Sequence, residues 1–308
     1  MTDLRALIAE YLSVRRSLGY KLKWDGLLLA EFADFCERGG ATTVTTDIAL
    51  AWAKTPVGCS SSWWANRLTV VRVFARYLQA IDPSAEVPPV GLIRDRNRRA
   101  TPFLYSDRDI ASLMAAAHGL SSPLVATTFK TLIGLLSVTG LRVGEAIRLN
   151  RADVCWEQEL LRINRSKFNK TREVPLHASC VERLRAYAGR RDLECAKPNS
   201  ASFFVSELGH RLHYPRVQQT FATLVSQVGL VPRSDRCRPR LHDLRHTFAV
   251  RTLLGWYQAG VAVEPKLQLL STYLGHSSPQ ATYWYLSATP QLFALVGKRL
   301  EESMGELP

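Results

Sequence analysis

Four short stretches of this chain hold the residue types that phosphate chemistry needs. In TGLRVGEAIRL, residues 139–149, Arg142 follows a helix stop and Glu145 lies three residues on. At that spacing a carboxylate can pair with the guanidinium and orient it. In HDLRHTFA, 242–249, His242 and Arg245 stand three apart and share one face of a helix that starts there. The tip NRSKFNKT, between two strand-like runs, carries Lys167 and Lys170, where a side chain can reach into a ligand. YLGHSSPQATYWYL, 273–286, adds His276 and three tyrosines: Tyr273, Tyr283 and Tyr285. Two arginines, a lysine, two histidines and a tyrosine suit metal-free attack on a phosphodiester. Guanidiniums bind the non-bridging oxygens and stabilise transition-state charge. A tyrosine attacks phosphorus and becomes covalently attached, while a cation protonates the leaving oxygen.

The missing motifs narrow the chemistry. The chain has no GxxxxGK[ST] phosphate loop, no HExxH and no acidic cluster for two metals. His242 and His246 are one helical turn apart, as a metal pair is, but no third ligand has a suggestive spacing. No GxSxG elbow supports a serine hydrolase. Neither a cofactor nor a metal is expected. Forty Lys and Arg against 27 Asp and Glu give a net charge of +13, which favours a polyanionic partner, nucleic acid before acidic membrane. The most apolar stretch, 132–141, is too short to span a bilayer and runs into Arg142. The N-terminus is amphipathic and lacks the pattern of a signal peptide. Six scattered cysteines without a CxxC read as reduced thiols in a cytoplasmic protein.

The elements that must position these residues are mostly helical. Apolar periodicity predicts helices over 2–19, about 24–38, 46–54 and about 62–80, with no strand before residue 100. The run 91–103 holds Arg94, Arg96, Arg98 and Arg99 around one aspartate and ahead of Pro102, and reads as an exposed basic linker that tracks phosphates. Ser106 and Asp109 form a near capping box, Ser122-Pro123 opens another helix, and Gly140 stands where a C-cap would. Strand patterns follow at 160–163, 172–176 and 202–206, and everything after Tyr214 reads as helix. The fold class is therefore mainly α with a small β-sheet. Residues 1–100 hold 14 Lys and Arg against 10 Asp and Glu, and residues 101–308 hold 26 against 17, so both parts can face one polyanion. The cluster RSDRCRPR, with Arg233, Arg236, Arg238 and Arg240, is a second candidate backbone-binding stretch.

In this order the blocks resemble the tyrosine recombinases, or phage integrase family, including the bacterial Xer-type recombinases. The resemblance spans nearly the whole chain. It is strongest in TGLRVGEAIRL, RINRSKFNKTREVPL, LHDLRHTFAVRTLL and LSTYLGHSSPQATYWYL, and looser in the N-terminal helices. It implies a two-domain DNA clamp: a helical core-binding domain at 1–92, a basic linker at 93–104 and a catalytic domain at 105–308. By the same resemblance Arg142 is the first phosphate-clamping arginine, supported by Glu145. His242 and Arg245 are the HxxR pair, and His276 hydrogen-bonds the scissile phosphate. Lys167 is the hairpin lysine and general acid, counted back from VPL. Lys170 is its rival, because the usual glycine beside the lysine is absent. Counting forward from LGHS puts the nucleophile at Tyr285. Tyr283 would project about 200° away on a helix, and Tyr273 reads as core.

The implied reaction leaves a 3′-phosphotyrosyl link and a free 5′-hydroxyl, with no metal or ATP. It runs on double-stranded DNA recombination sites in a homo-tetramer, through a Holliday junction, with sister recombinases or accessory proteins as further partners. The amphipathic segment with Leu292, Leu295, Val296 and Leu300 docks on a neighbouring subunit or on its own domain. The aromatic-rich TYWYL looks like integrases of transposons and other mobile elements. Two rival readings stand: a type IB topoisomerase-like relaxing enzyme, and a catalytically silent DNA-binding regulator.

Overall fold

The computed structural model of the chain describes residues 3–94, 100–164, 171–276 and 278–287, together with 294 and 297. The chain divides into two compact units, Met1–Arg99 and Ala100–Pro308.

Among the described residues the first unit is four helices: α1 (Leu4–Ser17), α2 (Lys23–Arg38), α3 (Thr46–Lys54) and α4 (Ser61–Gln79). Three of them start at side-chain caps, where Asp3, Thr45 and Ser60 accept backbone amides of the first turn. Their apolar faces meet in a core of Leu7, Ile8, Phe32, Trp52, Val71 and Phe74. Arg67 is buried against this core, its guanidinium 3.8 Å from the centre of the Trp52 ring and bonded to Glu31 and to the Trp52 carbonyl.

The second unit runs α5 (Asp107–Ala116), α6 (Pro123–Thr139), α7 (Val143–Arg148), β1 (Val154–Cys155), β2 (Leu160–Ile163), β3 (Arg172–Pro175), α8 (Ala178–Glu194), α9 (Tyr214–Gln227), α10 (Asp243–Gln258), α11 (Glu264–Leu274) and α12 (Gln280–Tyr283), with a 3-10 turn at Trp284–Ser287. The strands form an antiparallel sheet in the order β1-β2-β3, with Leu161 opposite both Val154 and Val174. Those three side chains point the same way and are buried in the main core. The apolar helix α6 lies at its centre, packed on α5, α8 and α10. The Ser106–Asp109 capping box forms, and Pro123 occupies the first turn of α6.

One strand expectation fails. Residues 202–206 are no strand: Ser202 and Val205 make one isolated bridge each, to Asn150 and Arg211. The run is apolar because Phe203 and Phe204 fill the core beside Tyr187 and Val205 is buried, and a buried run of that length looks the same whether or not it pairs. The sheet's third strand is β1, only two residues long. The segment with Leu292, Leu295, Val296 and Leu300 lies outside the described residues.

The end of α6 gives a first test. Gly140 is left-handed (φ 60°), and a Cβ there would lie 2.5 Å from Phe248 Cδ1. Gly140→Ala is expected to destabilise the second unit by about 1–3 kcal/mol, from backbone strain and overpacking together, read as a lower urea midpoint at unchanged slope.

Candidate active site

A second left-handed glycine, Gly275 (φ 68°), ends α11. The amides of Gly275 and His276 turn back to the carbonyls of Thr272 and Ser271, 2.9 Å each, a Schellman-type stop. Such a stop leaves the last carbonyls of the helix without intrahelical donors. Three guanidiniums take them. Arg172 Nε donates to the Tyr273 carbonyl, Arg245 Nη2 to Leu274 and Arg142 Nη2 to Gly275, each at 2.8 Å. The negative end of the helix dipole favours cations here. Gly275 is required twice over, since a Cβ would sit 2.7 Å from Arg172 Nη1.

Glu145 holds two of these arginines in register. Its carboxylate accepts from the Arg142 amide (3.0 Å), Arg142 Nη1 (2.9 Å), Arg172 Nη1 (3.1 Å) and Arg172 Nη2 (2.8 Å). Burial alone would raise its pKa. The Arg172 hydrogen bonds and charge, with the amide and charge of Arg142, outweigh that and hold it at about 2. Arg142 keeps 27% of its side chain exposed.

Arg245 is 2% exposed. Its described acceptors are neutral carbonyls, Leu274 and Gly140, the second also at 2.8 Å from Nη1. Burial and then the charge of Arg142 push its pKa down to about 10, so it remains a cation at neutral pH. Of the three guanidiniums on this helix end, two bond to the one carboxylate described there and the third to neutral carbonyls, an arrangement suited to an anion.

The tyrosines separate clearly. Tyr285 is 1% exposed and packs among Leu253, Leu267 and Leu270 of α10 and α11. Its hydroxyl lies 3.2 Å from His246 Nδ1, and its ring stacks at 6.1 Å on His276. His276 Nδ1 is 2.7 Å from the Thr282 hydroxyl. Tyr283 is 49% exposed. Tyr273 is half-buried and stacks on Phe248, and burial pushes its hydroxyl up to about 12 against the opposing charge of Arg172. His242 meets His246 edge-on at 4.9 Å, at the mouth of α10.

The fold therefore gathers Arg142, Glu145, Arg245, His276 and Tyr285, with His242 joined through His246. Lys167 and Lys170 lie outside the described residues, as do Arg96, Arg98 and Arg99. Arg94 is exposed in the first unit. In the second, Arg233, Arg236 and Arg238 are exposed, with Arg233 bonded to the Leu104 carbonyl and Arg238 paired with Asp235. Arg240 is committed within the protein, to Asp243. Sequence reasoning missed Arg172 and Thr282, and it weighed His246 only as a metal ligand. The signal for Arg172 was its place as the first residue of β3, directly after the lysine-bearing tip. Nothing local marked Thr282.

Comparison with known proteins adds to this geometry. Residues 104–291 match the model of the Phage integrase family. The chain is 44% identical to y4rB of Sinorhizobium fredii, named as an integrase/recombinase, over 98% of each chain. It is 28% identical to the tyrosine recombinase XerC of Chlamydia trachomatis, over 74% of this chain and 67% of that one. Among solved structures, the Tn1549 transposon integrase in complex with transposon right end DNA superposes with a TM-score of 0.68 at 17% identity, over 97% of this chain and 100% of that one. At that identity the likeness speaks to the fold alone.

Proposed function

We propose a DNA strand-exchange mechanism from one premise: this chain belongs to the phage integrase family. It is a DNA recombinase of the tyrosine type. In the mechanism we assign, Arg142 and Arg245 hold the non-bridging oxygens of the scissile phosphate and stabilise the charge of its transition state. Glu145 and Arg172 keep Arg142 in place, and His276 adds a hydrogen bond to the same phosphate. Tyr285 attacks phosphorus, forming a 3′-phosphotyrosyl link and releasing a 5′-hydroxyl, with Lys167 or Lys170 as the acid for that oxygen. A 5′-hydroxyl from a second duplex reverses the step, so the bond energy is conserved and neither metal nor nucleotide is consumed. Residues 1–92 act as the core-binding domain, 93–104 as the basic linker and 105–308 as the catalytic domain. Four copies act on two double-stranded sites. The likeness to a transposon integrase favours a role on a mobile element.

The observation that carries this reading is the convergence of Arg142, Arg245 and His276 at the end of α11, with the Tyr285 ring stacked on His276. The test uses the full chain and two duplexes covering both flanks of its own gene, in EDTA and without nucleotide. Joined recombinant products are expected, with a protein–DNA adduct that survives SDS. An adduct that relaxes supercoiled DNA without joining two duplexes would instead place the chain with relaxing enzymes. Tight binding with no adduct would make it a regulator.

A further inference from the structure

The imidazole that meets the Tyr285 hydroxyl is His246, one residue past the HxxR arginine, and it is built into a line of partners. His246 Nδ1 is 3.2 Å from the hydroxyl. Its opposite nitrogen, Nε2, lies 4.0 Å from Asp243 Oδ1. That is too far for a hydrogen bond but close enough for charge to act through a buried site. Asp243 is fully buried and is itself fixed by Arg240, whose Nε and Nη2 donate to it at 3.0 and 2.8 Å and whose amide donates at 3.1 Å. The Trp284 ring closes on His246 at 5.3 Å, and His242 packs edge-on against it.

We propose that His246 holds the Tyr285 hydroxyl and accepts its proton as the phenol oxygen attacks phosphorus, with Asp243 and Arg240 as positioning residues. This rests on Tyr285 being the nucleophile. With the tyrosine proton directed at Nδ1, the ring's own proton belongs on Nε2, facing the Asp243 carboxylate. In the step the Tyr285 O–H bond breaks and an N–H bond forms on His246. The phenol oxygen bonds to phosphorus, the bond from phosphorus to the 5′-oxygen breaks, and that oxygen takes its proton from the hairpin lysine. The imidazolium so formed lies beside the Asp243 carboxylate, which stabilises it. Core packing of the Tyr285 ring fixes where its hydroxyl is, and His246 fixes which way its proton points.

The test measures single-turnover adduct formation on a pool of nicked duplexes from the gene's flanks, with DNA affinity measured on the same duplexes. His246→Ala is expected to lower the cleavage rate roughly a hundredfold while leaving DNA affinity within about threefold, and added imidazole should restore part of the rate. His246→Gln, which hydrogen-bonds but takes up no proton, should remain slow. Wild-type rates in His246→Ala would overturn the inference and leave Tyr285 as nucleophile untouched. Full activity in His246→Gln would overturn proton acceptance as well. A wild-type adduct that persists in Tyr285→Phe would remove the nucleophile assignment, and this inference with it.

Discussion

Replacing Tyr285 with phenylalanine is expected to abolish the SDS-resistant protein–DNA adduct while leaving the chain folded and DNA-bound. The ring of Tyr285 is a member of the α10–α11 core, and phenylalanine preserves that packing. Among the described residues the hydroxyl meets His246, a hydrogen bond whose loss costs about 0.5–1.5 kcal/mol. Chemistry loses far more, since a phenyl ring has no oxygen with which to attack phosphorus. Tyr283→Phe is the control. Tyr283 is half exposed, lies two residues away and does not share the core position of Tyr285, so that variant should keep the adduct. Loss of the adduct in Tyr283→Phe alone would show that the nucleophile is two residues earlier, within the same chemistry. Retention in both single variants would remove tyrosine 283 and tyrosine 285 from the covalent step.

Glu145→Ala is expected to destabilise the second unit by about 3–5 kcal/mol, because it leaves two guanidiniums facing each other without their shared carboxylate. For a unit of this size that is a fall of roughly 10 °C in melting temperature. Strand cleavage should fail as well, since Arg142 loses the partner that aims it. The same pair predicts an acid limb. The Glu145 carboxyl is depressed from 4.5 to about 2 in the folded protein. A depressed carboxyl contributes its full stability above pH 4.5 and loses it as pH falls towards 2, a contribution on the order of 3 kcal/mol. Thermal melts of wild type between pH 5 and pH 2 should show that loss, and Glu145→Ala should lack this component of it. Equal acid sensitivity in the two proteins would mean that the Arg142–Glu145–Arg172 set does not carry the linkage.

Much of this molecule was legible before any fold. The helix starts at Ser106 and Ser122 are local chemistry, since a short polar side chain within a few residues satisfies the first amides. Gly140 and the Arg142–Glu145 pair could also be read locally, because three residues of α-helix place partners side by side. Family membership followed from four motifs in a fixed order.

Tertiary structure decided the rest. The run 202–206 has a strand's composition, but its neighbours offer only single bridges. The three guanidiniums on α11 come from positions 133, 101 and 29 residues away from the carbonyls they cap, and the hydroxyl of Tyr285 meets an imidazole 39 residues distant. Sequence alone determined which residues could handle a phosphate. That Arg172 joins Arg142 and Arg245 at the end of α11, and that Tyr285 faces His246, were decided by packing, because such pairings depend on how the helices and β3 bury their apolar faces together, and no local spacing encodes that.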